Sequence, residues 1–113
     1  MRIRIYIDTS VIGGCLDEEF EDASLLLFGK FKNGEMVAVV SELTGLELEA
    51  APKEVRDILE EIPEENIEHV DLSEEAVNLA RRYISDGIVG ESKLVDAQHI
   101  AIATINRVDV LVS

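Results

Sequence analysis

Met36-Val37-Ala38-Val39-Val40 is an unbroken apolar run of strand length. A strand with one wet face alternates apolar and polar residues. An unbroken run needs cover on both faces, as in a parallel sheet flanked by helices. A second β-branched, apolar run opens the chain over residues 2–7. Two more strands are expected over Asn66–Leu72 and Val108–Ser113. Helical periodicity fills the intervals between these runs. Right-handed crossovers then give an α/β fold with a central parallel sheet and helices on both faces.

The helix signals are local. The acidic stretch Asp17–Asp22 reads as a loop that ends in a cap at Asp22. A helix follows from Ser24 to Phe31, stopped by Asn33-Gly34. Ser41 is placed to cap a helix over Glu42–Ala51, which stops before Pro52. A further helix over Lys53–Ile62 is stopped by Pro63. Ser73 is placed to cap Glu74–Ser85, with Gly87 as terminator. The connection Gly87–Lys93 leads to a helix over Leu94–Arg107.

A length of 113 residues suits one domain. At 47% hydrophobic and 4% aromatic, its core must be aliphatic. The single Cys15 excludes an internal disulfide and agrees with a reducing cytoplasm. With no Cys or His beside it, Cys15 reads as a packing residue. The N-terminal apolar stretch is too short for a signal peptide, and no run reaches the ~18 apolar residues of a membrane span. The expectation is a soluble, cytoplasmic protein with no membrane contact. A formal net charge of −14 argues against a broad phosphate-tracking surface. It fits a solvated acidic exterior, an acidic metal site or a basic partner protein.

Three carboxylates stand where ligands bind in α/β domains, near strand ends. Asp8 follows strand one directly, with Thr9 and Ser10 beside it. It either caps the next turn or holds a cation, with Thr9 or Ser10 orienting a water. After strand two, Glu47 lies on the border of a stripe formed by Leu43, Leu46 and Ala50. Glu42 and Glu49 compete with it for a functional role. Asp96 shares a face with His99, Ile100 and Ala103 at helical spacing. His99 on that apolar face reads as a hydrogen-bonded core residue. Carboxylates with hydroxyl neighbours suit Mg²⁺ or Mn²⁺ rather than Zn²⁺. There is no zinc spacing of Cys and His, no GxGxxG and no GxxxxGK[ST].

Three segments, in order, resemble PIN-domain proteins. They are Ile7-Asp8-Thr9-Ser10-Val11-Ile12, then Val40-Ser41-Glu42-Leu43-Thr44-Gly45-Leu46-Glu47-Leu48, then Leu94-Val95-Asp96-Ala97-Gln98-His99-Ile100-Ala101-Ile102-Ala103. The resemblance covers essentially the whole chain. It implies a three-layer α/β/α sandwich and a divalent-metal-dependent endoribonuclease, often the toxin of a VapC-type toxin–antitoxin pair. Carried over by residue, it makes Asp8, Glu47 and Asp96 the catalytic, metal-binding carboxylates, choosing Glu47 over Glu42. They would hold Mg²⁺ or Mn²⁺, and a metal-bound water would attack the RNA phosphate. Thr9 or Ser10 would orient that water. Family partners are RNA, an antitoxin protein and often a second copy of the chain.

The family usually carries another acidic or polar position after strand four, then a short strand and helix. The chain stops at Ser113, before that position. The resemblance therefore implies a single domain over 1–113 that lacks its C-terminal strand and helix, and a 113-residue form whose site is incomplete. Asp109, expected within strand four, is no substitute. Lys30, Lys32, Arg81, Arg82 and Lys93 are candidate RNA contacts, scattered along the chain. The alternative is a non-catalytic PIN-like module that binds a protein. A phosphatase-like α/β domain also opens with a strand ending in Asp, but its usual second Asp is here Ser10.

Overall fold

The computed structural model describes residues 2–112, apart from the Glu91 side chain. Its strands are β1 (Ile3–Ile7), β2 (Met36–Ser41), β3 (Ile67–Val70) and β4 (Val110–Val112). Its helices are α1 (Thr9–Gly13), α2 (Glu21–Lys32), α3 (Glu42–Glu49), α4 (Lys53–Glu60), α5 (Glu74–Ser85) and α6 (Leu94–Ile105). Among the described residues no helix is long and apolar enough to cross a membrane.

All strand pairs are parallel, in the order β3-β2-β1-β4. The chain builds outward from β1 through β2 to β3, then returns to place β4 on the other side of β1. With one hand of crossover throughout, that reversal moves the helices to the opposite face of the sheet. The two cores show it. Ile5, Ile7, Ala38 and Val40 pack beneath Ile12, Phe28, Phe31 and Val55 from α1, α2 and α4. Tyr6 and Val39, pointing the other way, pack against Ala76 and Ala80 of α5 and Ala97, Ala101 and Ile102 of α6. The alanines on that face let α5 and α6 lie close to the sheet and to each other.

The expected caps form. Ser41 Oγ accepts from Thr44 N at 3.2 Å, and Ser73 Oγ accepts from Ala76 N at 3.1 Å. Gly34 and Gly87 close α2 and α5 with φ of 83° and 75°, the left-handed geometry glycine adopts without steric cost.

Several boundaries differ. The stretch after Asp8 is helical: α1 is followed by a 3-10 turn, Gly14–Leu16. This turn of apolar and small residues is too short to show a helical period. Asp22 is not a cap; Phe20 holds that position and Asp22 lies in the first turn of α2, where the helix dipole favours a carboxylate. The helices expected over Glu42–Ala51, Lys53–Ile62 and Leu94–Arg107 each end earlier. Within the described residues, strand four is confined to Val110–Val112; Ser113 lies outside them. Asp109 precedes the strand, at the end of the sheet remote from Asp8. There its Oδ2 accepts from Arg4 N at 2.8 Å, while Asp109 N donates to Arg4 O at 2.9 Å.

Candidate functional site

The strand order reverses between β1 and β4, and in an open parallel sheet a reversal leaves a crevice beyond the strand ends. Asp8 stands there, one residue past β1 and only 9% exposed. Its Oδ1 accepts from Ser10 N at 3.0 Å, Val11 N at 3.3 Å and Ser10 Oγ at 2.6 Å. These bonds cap α1 and meet the cost of a buried carboxylate. Asp8 Oδ2 takes no hydrogen bond among the described residues.

Asp96 lies in the first turn of α6, exposed. It lines one cavity of 280 Å³ together with Asp8, His99, Ile100 and Leu111. The carboxylates of two segments far apart in the chain thus share one cavity at the switch between β1 and β4.

Glu47 comes from α3, with its side chain 35% exposed. Its Oε1 accepts from Thr9 Oγ1 at 3.3 Å and from His99 Nε2 at 2.9 Å. His99 is 4% exposed, and its Nδ1 is 2.6 Å from the Tyr6 hydroxyl. Tyr6 OH is in turn 2.8 Å from Ser41 Oγ. Burial pushes the Tyr6 phenol up from its ordinary value, with the Asp8 and Glu47 charges adding to the effect, so it stays protonated. Both ring nitrogens of His99 are therefore engaged within the protein, and His99 is a buried hydrogen-bonding residue. Among the described residues no three Asp, Glu, His or Cys side chains converge closely enough to hold one metal ion.

No protein-family model matches the sequence, and no curated protein sequence matches it significantly. Solved structures do match. VapC20 of Mycobacterium tuberculosis, a toxin that cleaves the sarcin-ricin loop, matches with a TM-score of 0.60 at 14% identity, over 95% of this chain and 86% of that one. VapBC2 of Rickettsia felis, bound to a DNA fragment from its promoter, matches with a TM-score of 0.50 at 17% identity, over 97% and 98%. The chain has a PIN-like fold.

In this PIN-like domain the buried side of α3 is not the stripe expected from Leu43, Leu46 and Ala50. Leu46 is 59% exposed and Ala50 is exposed; Leu43, Thr44 and Leu48 are buried. The rotation follows from the Ser41 cap, which draws Thr44 inward, where its hydroxyl also donates to Ile7 O at 3.3 Å. Glu42, the rival of Glu47, points away from the site and accepts from Leu72 N at 3.0 Å. On α6, Asp96 and Ile100 are exposed while His99 and Ala103 are buried, so their common face is the rim of the packed surface rather than its centre.

Thr9 and Ser10 divide their work in the PIN-like domain: Ser10 binds Asp8, and Thr9 binds Glu47. The residues that sequence reasoning missed are Tyr6, the partner of His99, and Ser41, the partner of Tyr6. The available signal was Tyr6, a hydroxyl between Ile5 and Ile7 near the end of strand one, which needs a partner when buried.

Proposed function

We propose that this chain is a divalent-metal-dependent endoribonuclease and the toxin of a cytoplasmic toxin–antitoxin pair. The observation that carries the reading is the cavity shared by Asp8 and Asp96 at the strand-order reversal. Its lining offers two carboxylates, no thiolate, and one imidazole already engaged. That chemistry fits Mg²⁺ or Mn²⁺. Asp8 and Asp96 would hold the ion; Glu47, tied to Thr9 and His99, stands outside the lining of their cavity. When bound, such an ion supplies Lewis acidity, activating a water and offsetting charge on a phosphodiester.

The protein's own residues do the rest. Ser10 and Val11 orient Asp8 Oδ1, leaving Oδ2 for the cavity. Thr9 steadies Glu47. Lys30, Lys32 and Lys53 pair with Glu35, Glu61 and Asp57. Lys93 enters no ion pair among the described residues. It sits at the N-cap position of α6, just ahead of Asp96, and is the cation we assign to an RNA phosphate. RNA as substrate is supported by the fold shared with VapC20, and an antitoxin partner by the fold shared with VapBC2. The test is cleavage of labelled single-stranded RNA with Mn²⁺, comparing the chain with Asp8→Asn. Loss of cleavage in the variant is expected. Cleavage that survives the substitution removes Asp8 from the site.

A second reading, a non-catalytic module that binds a protein, is favoured by an apolar groove. Its volume is 310 Å³, and Val11, Phe20, Ala23, Leu27 and Val112 line it beside Ser10. The net charge of −14 suits a basic partner. Calorimetric titration with Mn²⁺ separates the two readings, since the absence of ion binding favours this one.

A further inference from the structure

Glu47 joins three helices through one oxygen. From α3, its Oε1 accepts from Thr9 Oγ1 of α1 at 3.3 Å and from His99 Nε2 of α6 at 2.9 Å. An ionised carboxylate only accepts, so Nε2 carries the ring proton. Nδ1 then accepts from the Tyr6 hydroxyl, 2.6 Å away. His99 is buried, and a buried donor that loses its partner carries its full desolvation cost. Glu47 itself lies outside the lining of the cavity that Asp8 and Asp96 share.

The two ends of this bridge stand beside those two carboxylates. Thr9 follows Asp8 directly at the start of α1, and His99 lies one turn beyond Asp96 on α6. Asp8 is fixed by its own capping bonds to Ser10 and Val11. Asp96 has less local support. Lys93, at the N-cap of α6, makes no side-chain capping bond, and the connection ahead of it contains Gly87 and Gly90. The first turn of α6 is therefore held by packing of Ala97, Ala101 and Ile102 and by the polar grip on His99. One or two carboxylates suffice for Mg²⁺, with waters and substrate phosphates completing the shell, but the ion demands near-ideal octahedral geometry. Affinity then depends on how the two carboxylates are placed relative to each other.

We infer that Glu47 is a positioning residue: from outside the cavity it ties Thr9 to His99 and so fixes the placement of Asp8 against Asp96. This rests on the metal-dependent reading above, and it gives Glu47 a role other than the ligand role that the family resemblance implies. Groups that orient ligands through hydrogen bonds set metal affinity in this way.

The test is Mn²⁺ titrated calorimetrically into the full chain and into Glu47→Gln, Glu47→Ala and Thr9→Val, with a thermal melt of each. Glu47→Gln keeps an Oε1 that accepts from both Thr9 and His99, and removes only the charge. Its Mn²⁺ affinity is expected to stay within about threefold of the unaltered chain, the effect of a screened charge that is not a ligand. Glu47→Ala removes the bridge and is expected to weaken binding roughly 10–100-fold. Equal weakening in the Gln and Ala variants overturns the inference and makes Glu47 a ligand. Unchanged affinity in Glu47→Ala also overturns it, whatever happens to the melt, because the bridge then supports the fold and not the site. Should Glu47→Ala not fold, Thr9→Val decides: it cuts the arm of the bridge beside Asp8, and unchanged affinity overturns the inference. Absence of Mn²⁺ binding by the unaltered chain refutes instead the metal-dependent reading on which it rests. That result is distinguishable because it precedes any substitution.

Discussion

His99 Nε2 lies 2.9 Å from Glu47 Oε1, so a buried residue of α6 grips a half-exposed residue of α3 across the strand ends. The bond joins residues 52 positions apart and ties the second acidic segment to the helix that carries the third. It makes the acidic site a property of three packed elements rather than of any one motif.

Asp8 carries two duties that substitution separates. Asn retains an Oδ1 to accept from Ser10 N and Val11 N, so Asp8→Asn keeps the α1 cap and changes stability by a few tenths of a kcal/mol. Its charge is lost, and RNA cleavage is expected to fall at least on the order of 100-fold. Asp8→Ala loses both, with about 1 kcal/mol of stability gone as well. Denaturant unfolding alongside the cleavage assay checks the pair.

Asn66 supports the sheet far from the site. It is buried; its Nδ2 donates to Phe31 O at 2.9 Å, and its Oδ1 accepts from Arg2 Nη1 at 2.8 Å. Asn66→Ala removes one of the two bonds to Phe31 O, which keeps Gly34 N at 3.3 Å, and should cost about 0.5–1.5 kcal/mol in denaturant unfolding. Metal affinity measured on the folded fraction should be unchanged.

Arg107 is the only non-glycine residue with positive φ among those described, at 52°. A side chain there costs ~1–2 kcal/mol, of which the greater unfolded-state freedom of glycine returns part. Arg107→Gly is therefore expected to stabilise the fold by about 0.5–1 kcal/mol. Gly34→Ala places a Cβ at a φ of 83° and is expected to lower stability by a similar amount. Melting temperatures that move in opposite directions are the signature.

Alkali should loosen the fold through two buried acids. Burial pushes the Cys15 thiol up, and burial also pushes the Tyr6 phenol up. Each is neutral when protonated, so the folded state holds its proton to higher pH than the unfolded chain does. The stability each contributes is fully present below the unfolded value and is lost as pH rises above it toward the folded one. The decline should begin near pH 8.5 for the thiol and near pH 10 for the phenol. Cys15→Ala should remove the first part of the slope in unfolding measured from pH 7 upward, and Tyr6→Phe the second.

Local chemistry made most of the architecture legible in the sequence. The unbroken run Met36–Val40 required a sheet covered on both faces, and Ser41, Ser73, Gly34 and Gly87 marked helix ends because capping involves only neighbouring residues. The α1 turn after Asp8 escaped because so short a helix shows no period. The buried side of α3 was misjudged because Thr44, polar by type, is drawn inward by the Ser41 cap and by Ile7 O. Asp8, Glu47 and Asp96 were singled out by sequence; which oxygen each keeps free was not. Only the tertiary structure placed Asp8 and Asp96 around one cavity and set His99 between Tyr6 and Glu47. Caps and periodicity act over a few residues, whereas these contacts join positions far apart in the chain. They depend on the side of β1 to which β4 returns and on the depth to which small alanines let α6 settle onto the sheet.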